Sequence, residues 1–484
     1  MKLSELALLL PEAKIVGDDV EISGIERDSR KVAAKNLFVC MEGARVDGHD
    51  FIPQAVSKGA VAVLSAKKIF TPPEKISALI VNDMQKALAV IVPYFYDYPA
   101  RKMRVIGITG TNGKTTTSYM LREIFLKAGL KVGLIGTIQI LIGEKSFPVQ
   151  NTTPNVIDLQ KILAQMLAEK VQVVVMEVSS HALAEHRVAG VDFCAAIFTN
   201  LTQDHLDFHG TFENYLRAKT KLFDMVSRGK NKTAIVNADD PSAEEILRHC
   251  CCKKISYAVK NFADLRAEEI SLRQGGMNFF LAPEKISLSL QVTGLFNVYN
   301  ALASIAAAQA ENIRPDVIKS ALENFRSVPG RFERIFSDAP FEVIVDYAHT
   351  PDGVKNVLQT ARQITQGKII TVFGCGGDRD HSKRPLMGSL AAKFSDVIII
   401  TSDNPRTEDP EKILDDIVSG LGEKNFERII DRRAAIFRAI ELARAGDIVM
   451  ILGKGHETYQ ILNTGTIHFD DREVAKEAIE QWKN

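Results

Sequence analysis

The chain has few of the features that mark fibrous, membrane or disulfide-rich proteins. Its 484 residues include one tryptophan and six cysteines without framework spacing, so we expect no disulfide scaffold and a reducing, cytoplasmic location. No apolar run approaches the ~20 residues that span a bilayer, and the N-terminus lacks the pattern of a signal peptide. Sixty basic residues balance sixty acidic ones. Without a polybasic block, neither nucleic acid nor a membrane surface is an expected partner.

The length and the pattern of apolar runs predict an α/β protein of about three domains. Residues 1–100 mix short apolar runs with helical patterns and end in an aromatic segment at 94–102, which we predict as a linker. Beyond it, apolar runs alternate with helix-length intervals, as in a parallel sheet covered on both faces. Residues 275 and 276 predict a hairpin. We place the domains at 1–100, 101–330 and 331–484, and the later strands at 104–109, 171–178, 194–199, 233–237, 341–345, 368–373, 396–401 and 447–452.

The sharpest local pattern is a glycine-rich loop that follows a predicted strand and opens a predicted helix. Glycines let backbone N–H groups surround phosphate oxygens at a helix N-terminus. Lys114 would reach the β and γ phosphates, and the Thr115 hydroxyl would meet Mg²⁺. The loop alone does not exclude GTP, and a chance glycine-rich turn is the alternative. We predict an ATP site formed by Gly110, Thr111, Asn112, Gly113, Lys114, Thr115 and Thr116.

Carboxylates and histidines follow two later predicted strands. Glu177 ends the run at 171–178, where a carboxylate beside a phosphate loop is well placed to hold Mg²⁺. A solvated glutamate at a strand end is the alternative. Asp204, His205 and Asp207 cluster after the next strand, although a lone histidine is more often structural. Lys219 follows in a helical pattern, which by itself indicates a solvated surface lysine.

The segment GTNGKTT resembles the phosphate loop of the Mur ligases, which build the peptide stem of bacterial cell-wall precursors. The similarity extends over essentially the whole chain, with the motifs in the same order. It implies that His205 helps to hold a second Mg²⁺ and that Lys219 carries a carbamate formed with CO₂, which requires an unprotonated amine. The implied catalytic residues are Lys114, Glu177, His205 and Lys219, and the implied metal ligands are Thr115, Glu177, His205 and carbamylated Lys219.

The same resemblance implies where the rest of the nucleotide binds. Asn297 and Asn300 match a segment that recognises adenine, although an asparagine at a helix start is also an ordinary cap. Arg331 matches an arginine that meets the phosphates, and Asp346 matches a ribose contact with His349 close by. Because these last three residues lie beyond the predicted boundary at 330, ATP would be held between domains and closure would be required for catalysis.

Other motifs imply the remaining substrates. Asp28-Ser29-Arg30 and Gly43-Ala-Arg-Val-Asp47 resemble a uridine-nucleotide module, which would make the first domain bind a UDP-sugar through Ser29; a plain Asp-Ser turn is the alternative. Glu185 stands where the family has glutamine. Positions that match the sugar and D-glutamyl contacts are Thr152, Thr153, Ser179 and Arg187. The segments GCGGDRD and DNPR are similar to those of the diaminopimelate-adding members, which implies an amino-acid site of Arg379, Asp403, Asn404, Arg406, Gly453 and Glu457.

We therefore expect a monomeric, ATP-dependent ligase that uses two Mg²⁺ ions. It would add meso-diaminopimelate to the D-glutamyl carboxylate of UDP-N-acetylmuramoyl-L-alanyl-D-glutamate through an acyl phosphate. A lysine-adding member is one alternative. A folylpolyglutamate synthetase-like ligase is another, but it should lack the uridine module and DNPR. A P-loop switch or motor protein leaves Lys219, His205 and the third domain without a role, and an inactive binding protein does not explain the intact site.

Overall fold

The structure is a computed structural model that describes residues 1–43, 46–67, 72–73, 76–227, 229, 231–248 and 250–483. Ala44 and Arg45 of the uridine motif lie outside the described residues. Within the described part, no helix combines the length and the apolar character needed to cross a membrane. The chain divides into two compact units: Met1–Gly107 with Lys131–Cys194, and Ile108–Leu130 with Ala195–Asn484.

Helices and strands alternate along the chain. Up to residue 100 the elements are α1 (Leu3–Ala7), β1 (Lys14–Val16), β2 (Gly24–Glu26), β3 (Asn36–Val39), α2 (Ile52–Ser57), β4 (Ala60–Ser65), β5 (Ser77–Ile80) and α3 (Met84–Phe95). Up to residue 330 they are β6 (Arg104–Thr109), α4 (Lys114–Lys127), β7 (Val132–Ile135), β8 (Ile140–Ile142), β9 (Lys145–Phe147), α5 (Val156–Ala168), β10 (Val173–Glu177), α6 (Ser180–Ala184), β11 (Phe193–Phe198), α7 (Leu206–His209), α8 (Phe212–Val226), β12 (Thr233–Asn237), α9 (Ala243–Leu247), β13 (Lys253–Ala258), β14 (Leu265–Arg273), β15 (Gly276–Ala282), β16 (Ile286–Leu290), α10 (Leu295–Ala310) and α11 (Pro315–Glu323). Beyond it they are β17 (Glu333–Ile335), β18 (Glu342–Asp346), α12 (Pro351–Ile364), β19 (Ile369–Phe373), α13 (Lys383–Phe394), β20 (Val397–Ile400), α14 (Pro410–Val418), β21 (Glu427–Arg428), α15 (Arg432–Leu442), β22 (Ile448–Leu452), β23 (Tyr459–Leu462), β24 (Gly465–His468) and α16 (Asp471–Lys483).

The first unit is built on a five-stranded sheet in the order β1-β5-β4-β3-β2, parallel except for β1. Leu6 of α1 and Leu88 of α3 pack on one face of this sheet, together with Ile157 of α5. Ile52 of α2 packs on the other face. The same unit contains β10 paired in parallel with β7, followed by antiparallel β8 and β9. Alternate strand residues therefore face two separate apolar layers.

The segment at 94–102 is structured rather than an open linker. Helix α3 runs to Phe95, and Pro99–Lys102 forms a 3-10 turn. The rings of Phe95 and Tyr96 pack against the apolar core of the first unit. The prediction of a linker there is wrong because these aromatic side chains are used for burial, which a proline-containing sequence alone does not reveal.

The central part of the second unit positions the phosphate loop. Strands β11, β12, β13 and β14 are parallel, and β14, β15 and β16 form an antiparallel meander with the turn at residues 274–275. Helix α10 is rich in alanine and packs closely on α4. Ser304 of α10 donates a hydrogen bond to the Thr117 carbonyl of α4, 3.3 Å away. The helix that begins at the phosphate loop is thereby held along its side.

The last part of the second unit is a six-stranded sheet in the order β17-β18-β22-β19-β20-β21, with only β17 antiparallel. Leu358 of α12, Met387 of α13 and Leu414 of α14 cover one face. Ile436 of α15 and Ala475 of α16 cover the other. These doubly covered strands explain the unbroken apolar runs of the sequence.

The predicted α/β class with parallel sheets is confirmed. The predicted strands at 104–109 and 233–237 agree with β6 and β12 at both ends. The other predicted strands agree within a few residues, and the predicted hairpin is the β14–β15 turn. The domain boundaries at 100 and 330 stay predictions.

Candidate active site

The phosphate loop connects β6 to α4 and is fixed by the residues that follow β11. The Asn200 carbonyl and side-chain oxygens accept the N–H groups of Thr111 and Asn112, each at 2.9 Å. The Thr199 hydroxyl donates to the Asn112 carbonyl at 2.7 Å. A β-carbon on Gly110, whose φ is 147°, would lie 1.8 Å from the Thr199 hydroxyl. Glycine is therefore required there, and hydrogen bonds to Thr199 and Asn200 hold the shape of the loop.

Two lysines converge on this loop. The ammonium groups of Lys114 and Lys219 donate to the Gly110 carbonyl at 2.8 and 2.9 Å. Lys219 is only 1% exposed, so the interpretation as a solvated surface lysine is wrong. Burial lowers the pKa of Lys219 well below its usual range, the charge of Lys114 lowers it further, and Asp204 opposes this. A buried amine with a depressed pKa is chemically suited to carbamate formation.

Asp204 and His205 lie at the start of α7. His205 adopts a left-handed conformation with φ 55°, and its Nε2 lies 3.3 Å from a carboxylate oxygen of Asp204. Burial favours the neutral form of Asp204, but the positive charges of His205, His349 and Lys383 outweigh it and lower the pKa of the carboxyl. The second unit therefore holds an ionised carboxylate close enough to influence Lys219. Oxygen ligands of this kind suit Mg²⁺.

A cavity of about 330 Å³ adjoins the phosphate loop. Asn297 is buried within α10 and does not line it. The helix begins after Gly294, so the interpretation of Asn297 as a cap is wrong. The Asn300 amide donates to the Asn297 side-chain oxygen at 3.0 Å, so the two asparagines support each other. The predicted nucleotide-binding residues that line the cavity are Asn112, Gly113, Thr116, Asn300, Arg331, Asp346 and His349.

Arg331 brings the chain beyond residue 330 to the phosphate loop. Its guanidinium donates to the Thr115 hydroxyl at 3.2 Å and lies 4.4 Å from the ring centroid of Tyr347. Its Nε is buried and has no hydrogen-bond partner among the described residues. Asn112 also donates to an Asp352 carboxylate oxygen at 2.9 Å. The cavity thus offers an unsatisfied guanidinium donor beside the loop, which fits a phosphate ligand.

Asp346 and His349 line the same cavity. The Asp346 carboxylate accepts the N–H groups of Phe332 and Ala348 at 2.6 and 2.7 Å. Burial raises the pKa of Asp346 to about 6, outweighing the opposite effects of Arg331 and the two N–H donors. Burial also lowers the pKa of His349.

Arg379 and Arg406 flank the same glycine. A β-carbon on Gly376 would lie 3.0 Å from Arg406 Nη1 and 3.8 Å from Arg379 Cγ. Arg406 donates to the Gly377 carbonyl at 2.7 Å, whereas Arg379 is exposed. The two arginine side chains, 27 positions apart in the sequence, are therefore neighbours. Their role in binding a substrate stays a prediction.

A buried ion pair lies beside this arginine pair. Lys454 is 0% exposed, and its ammonium donates to the Asn404 side-chain oxygen at 3.1 Å and to a Glu457 carboxylate oxygen at 3.0 Å. The Asn404 amide donates to the same Glu457 oxygen at 2.8 Å. A β-carbon on Gly453 would lie 2.6 Å from an Asp403 carboxylate oxygen. Hydrogen bonds and close packing thus hold the loop 453–457 against the DNPR segment.

Glu177 lies at the end of β10 in the first unit. Its two carboxylate oxygens accept the backbone N–H and the hydroxyl of Thr137, both at 2.9 Å. The residue is fully buried, so the interpretation as a solvated strand-end glutamate is wrong. The Thr137 hydroxyl also lies 3.1 Å from that of Thr152. Thr153 donates to the Glu177 carbonyl at 2.9 Å and accepts the N–H of Ser179 at 3.0 Å.

Arg187 lines a smaller cavity of the first unit, about 120 Å³ in volume. Its guanidinium donates to the Thr153 carbonyl at 3.2 Å and to Glu185 at 2.7 Å. Glu185, at the position where the resemblance leads us to expect glutamine, is therefore the partner of this arginine. Ser29 is buried and donates to the Gln54 side chain at 2.6 Å. It does not line this cavity.

Comparison with known proteins identifies the family. The family model "Mur ligase family, catalytic domain" matches residues 21–103, "Mur ligase middle domain" matches 108–308, and "Mur ligase, glutamate ligase domain" matches 330–455. The UDP-N-acetylmuramoyl-L-alanyl-D-glutamate–2,6-diaminopimelate ligase of Bacillus cereus is 47% identical over 486 residues, which cover 99% of this chain and 98% of that protein. The ligase of the same name from Syntrophomonas wolfei is 47% identical over 466 residues, 95% of each chain. The chain belongs to the Mur ligase family. The family predicted from the sequence is therefore confirmed.

Solved structures agree with this assignment. A structure of a UDP-N-acetylmuramoyl-L-alanyl-D-glutamate–2,6-diaminopimelate ligase superposes with a TM-score of 0.68 at 31% identity, covering 100% of this chain and 99% of that one. MurF from Acinetobacter baumannii has a TM-score of 0.70 at 21% identity, covering 99% and 98%, and shows the shared fold alone. The three matched regions agree with the predicted three-domain Mur ligase organisation.

Several residues of the site were not among the sequence-based candidates. Asn200 holds the phosphate loop, Asp352 contacts it, and Lys454 holds Glu457. Arg384 is fully buried and pairs with Glu408 below the arginine pair. Lys454 lies inside a motif that the resemblance singles out, so it could have been chosen as a candidate from the sequence. Arg384 follows a polar, unremarkable stretch, and the sequence contains no local sign of its burial.

Proposed function

We propose that this Mur ligase joins meso-2,6-diaminopimelate to the D-glutamyl carboxylate of UDP-N-acetylmuramoyl-L-alanyl-D-glutamate, with conversion of ATP to ADP and phosphate. Relatives named for this reaction, 47% identical over nearly the whole chain, support the proposal. The observation that carries it is that the side chains of Arg379 and Arg406 both lie beside Gly376, next to the Asn404–Lys454–Glu457 group, since Arg406 reaches the Asn404 carbonyl at 3.4 Å.

This arrangement is complementary to the far end of diaminopimelate. That end carries a carboxylate and an ammonium on one carbon, whereas lysine has only the ammonium. Arg379 and Arg406 supply planar donors for the carboxylate, and Glu457 supplies an acceptor for the ammonium. Lysine lacks this second carboxylate, so in the same place it would not form the charge-assisted hydrogen bonds to these guanidinium groups.

The phosphate loop supports the first half of the reaction. A carboxylate oxygen of the uridine-linked substrate attacks the γ-phosphorus of ATP and ADP leaves, giving an acyl phosphate; the amine then attacks the acyl carbon and phosphate leaves. Lys114 and Arg331 would neutralise the phosphates. Mg²⁺ supplies further charge neutralisation, and our proposed ligands are Thr115, Glu177, His205 and a carbamate on Lys219. The buried, low-pKa amine of Lys219 fits this modification.

The remaining assignments belong to the same proposal. We assign the UDP-sugar and the D-glutamyl end to the first unit, where Ser29, Thr152, Thr153, Ser179 and Arg187 would contact them. Arg187 supplies a guanidinium for a carboxylate of the substrate, in exchange for its present partner Glu185. We also propose that the enzyme acts as a monomer in the cytoplasm.

Measurement of ADP release tests the proposal. Purified protein is mixed with ATP, Mg²⁺ and UDP-N-acetylmuramoyl-L-alanyl-D-glutamate, and then with meso-diaminopimelate, L-lysine or no amino acid. We expect rapid ADP release only with diaminopimelate, and none from Lys114→Ala, which removes a phosphate-neutralising charge from a loop that other hydrogen bonds hold. Equal use of lysine would overturn the amino-acid assignment. ADP release without any amino acid or uridine substrate would favour a P-loop switch instead.

A further inference from the structure

A second cavity of about 260 Å³ lies in the second unit and has no role in the proposed reaction. Residues before position 330, in the β14–β15 turn and the segment after β16, form one side of it. Residues of β17, β18 and the end of α12 form the other. Phe332 and Ile344 supply a buried apolar wall, and Ile364 extends it. The cavity therefore exists only while these two parts of the chain are arranged as they are here.

A buried hydroxyl and an exposed guanidinium of this cavity lack partners. Thr293 is 5% exposed, and its hydroxyl has no hydrogen-bond partner among the described residues. Arg326 lies at the exposed rim, and within the described part of the chain its side chain forms no hydrogen bond or ion pair. The other rim arginine, Arg334, is already paired with the buried carboxylate of Glu342. One cation and one buried hydroxyl thus remain available to a ligand, and buried polar groups are rarely left unsatisfied.

An exposed aromatic ring completes the rim. Phe336 is 79% exposed although it lines the cavity, and its ring centroid lies 5.7 Å from the Arg334 guanidinium carbon. We propose that this cavity binds a small organic anion with an apolar body. The anionic group would pair with Arg326, a polar atom would satisfy the Thr293 hydroxyl, and the apolar body would lie between Phe332 and Phe336.

This cavity and the nucleotide cavity share a wall, through which binding in one can affect binding in the other. The ring of Phe332 lies 5.8 Å from that of Phe296, which lines the nucleotide cavity. Phe332 has a φ of 46°, follows Arg331 directly, and donates its N–H to Asp346. A ligand that binds only to this arrangement stabilises it. Because Arg331 reaches the phosphate loop in the same arrangement, the ligand and ATP should strengthen each other's binding by one common factor.

The binding site is tested with the full-length protein and the dye 8-anilinonaphthalene-1-sulfonate, an apolar anion whose fluorescence rises on leaving water. We expect saturable binding that weakens about tenfold in Arg326→Glu, the loss typical of a charge-assisted contact. Arg314→Glu is the matched control, because Arg314 is an exposed arginine outside both cavities. Its dye affinity should equal that of the wild type, and both variants should keep normal turnover without dye.

The coupling is tested by titrating the dye with and without a non-hydrolysable ATP analogue. We expect the analogue to tighten dye binding, and saturating dye to tighten analogue binding equally. Displacement of the dye by the analogue would place it in the nucleotide cavity and overturn the site, as would equal affinities of Arg326→Glu and Arg314→Glu. Unchanged affinity would overturn the coupling. Dye binding does not depend on turnover. The ADP assay without dye therefore tests the ligase proposal independently of this cavity.

Discussion

Replacement of Lys454 by methionine tests the buried ion pair of the amino-acid site. Methionine keeps the apolar stem but removes the charge and the two donated hydrogen bonds, to Asn404 and Glu457. Removing one partner of a buried pair costs about 3–5 kcal/mol, because the remaining charge is left uncompensated. The Glu457 side chain is 14% exposed and keeps the Asn404 amide as a donor. We therefore expect a loss near the lower end, about 3 kcal/mol.

The loss can be measured by urea unfolding followed through tryptophan fluorescence. The single tryptophan, Trp482, packs edge-on against Phe341 with ring centroids 5.0 Å apart, so it reports on the unit that contains Lys454. The control is Lys319→Met in the same unit, which breaks a partly exposed pair with Glu323 and should cost at most about 1 kcal/mol. The double variant Lys454→Met/Glu457→Gln should recover about 2 kcal/mol of the loss, since it leaves no unpaired charge.

Kinetics separate a positioning role for Lys454 from a merely structural one. If Lys454 acts by holding Glu457 and Asn404 towards the amino acid, the KM for diaminopimelate should rise while the KM for ATP stays unchanged. Two results would refute this reasoning. One is a Lys454→Met variant as stable as Lys319→Met. The other is a double variant destabilised by the sum of its two single changes, which would mean that the ammonium and the carboxylate do not interact.

Three further predictions concern other parts of the site. Lys219→Ala should lose most activity, and added formate should restore part of it by replacing the carbamate oxygens; full activity without formate would exclude the carbamate. Arg406→Ala should lower kcat/KM for diaminopimelate by about tenfold to a hundredfold and leave that for lysine nearly unchanged; equal losses would contradict carboxylate recognition. The Asp346 carboxyl has a pKa of about 6 and is charged only above it. The KM for ATP should therefore rise as the pH falls from 7 to 5, and a flat profile identical to that of Asp346→Asn would contradict an anionic contact.

Much of the fold could be predicted because its signals are local. The apolar run of β6 is bounded by polar residues, and the glycine-rich loop after it places the start of α4 at Lys114. The C-terminal strands read as unbroken apolar runs because helices cover both faces of their sheet. The aromatic stretch at 94–102 failed as a prediction because its rings are buried by tertiary packing, whereas the sequence shows only their aromatic character.

Burial of charged side chains could not be predicted. Arg384 pairs with Glu408 and Asp416, which lie 24 and 32 positions further along the chain. Asn112 contacts Asp352 across 240 positions. Lys219 and Lys221 lie in the same helix, and Lys221 is more exposed than Lys219. Neither periodicity nor composition distinguishes the two lysines. The partners of such residues come close only in the folded chain. For Lys219, its place in the site was therefore predicted from the family resemblance and not from the local sequence pattern.

Two glycines show how the nucleotide and amino-acid sites are joined without a side-chain motif. A β-carbon on Gly330 would lie 2.0 Å from the His456 backbone nitrogen, and one on Gly455 would lie 2.6 Å from the Gly330 carbonyl oxygen. The two backbones are therefore in direct contact. Arg331, next to the first glycine, reaches the phosphate loop, and Glu457, two residues after the second, belongs to the amino-acid site. Because neither glycine leaves room for a β-carbon, the two segments pack backbone against backbone, and we expect them to move together. In the proposed reaction, this contact would align the nucleotide with the amino acid, and a β-carbon on either glycine would disturb it.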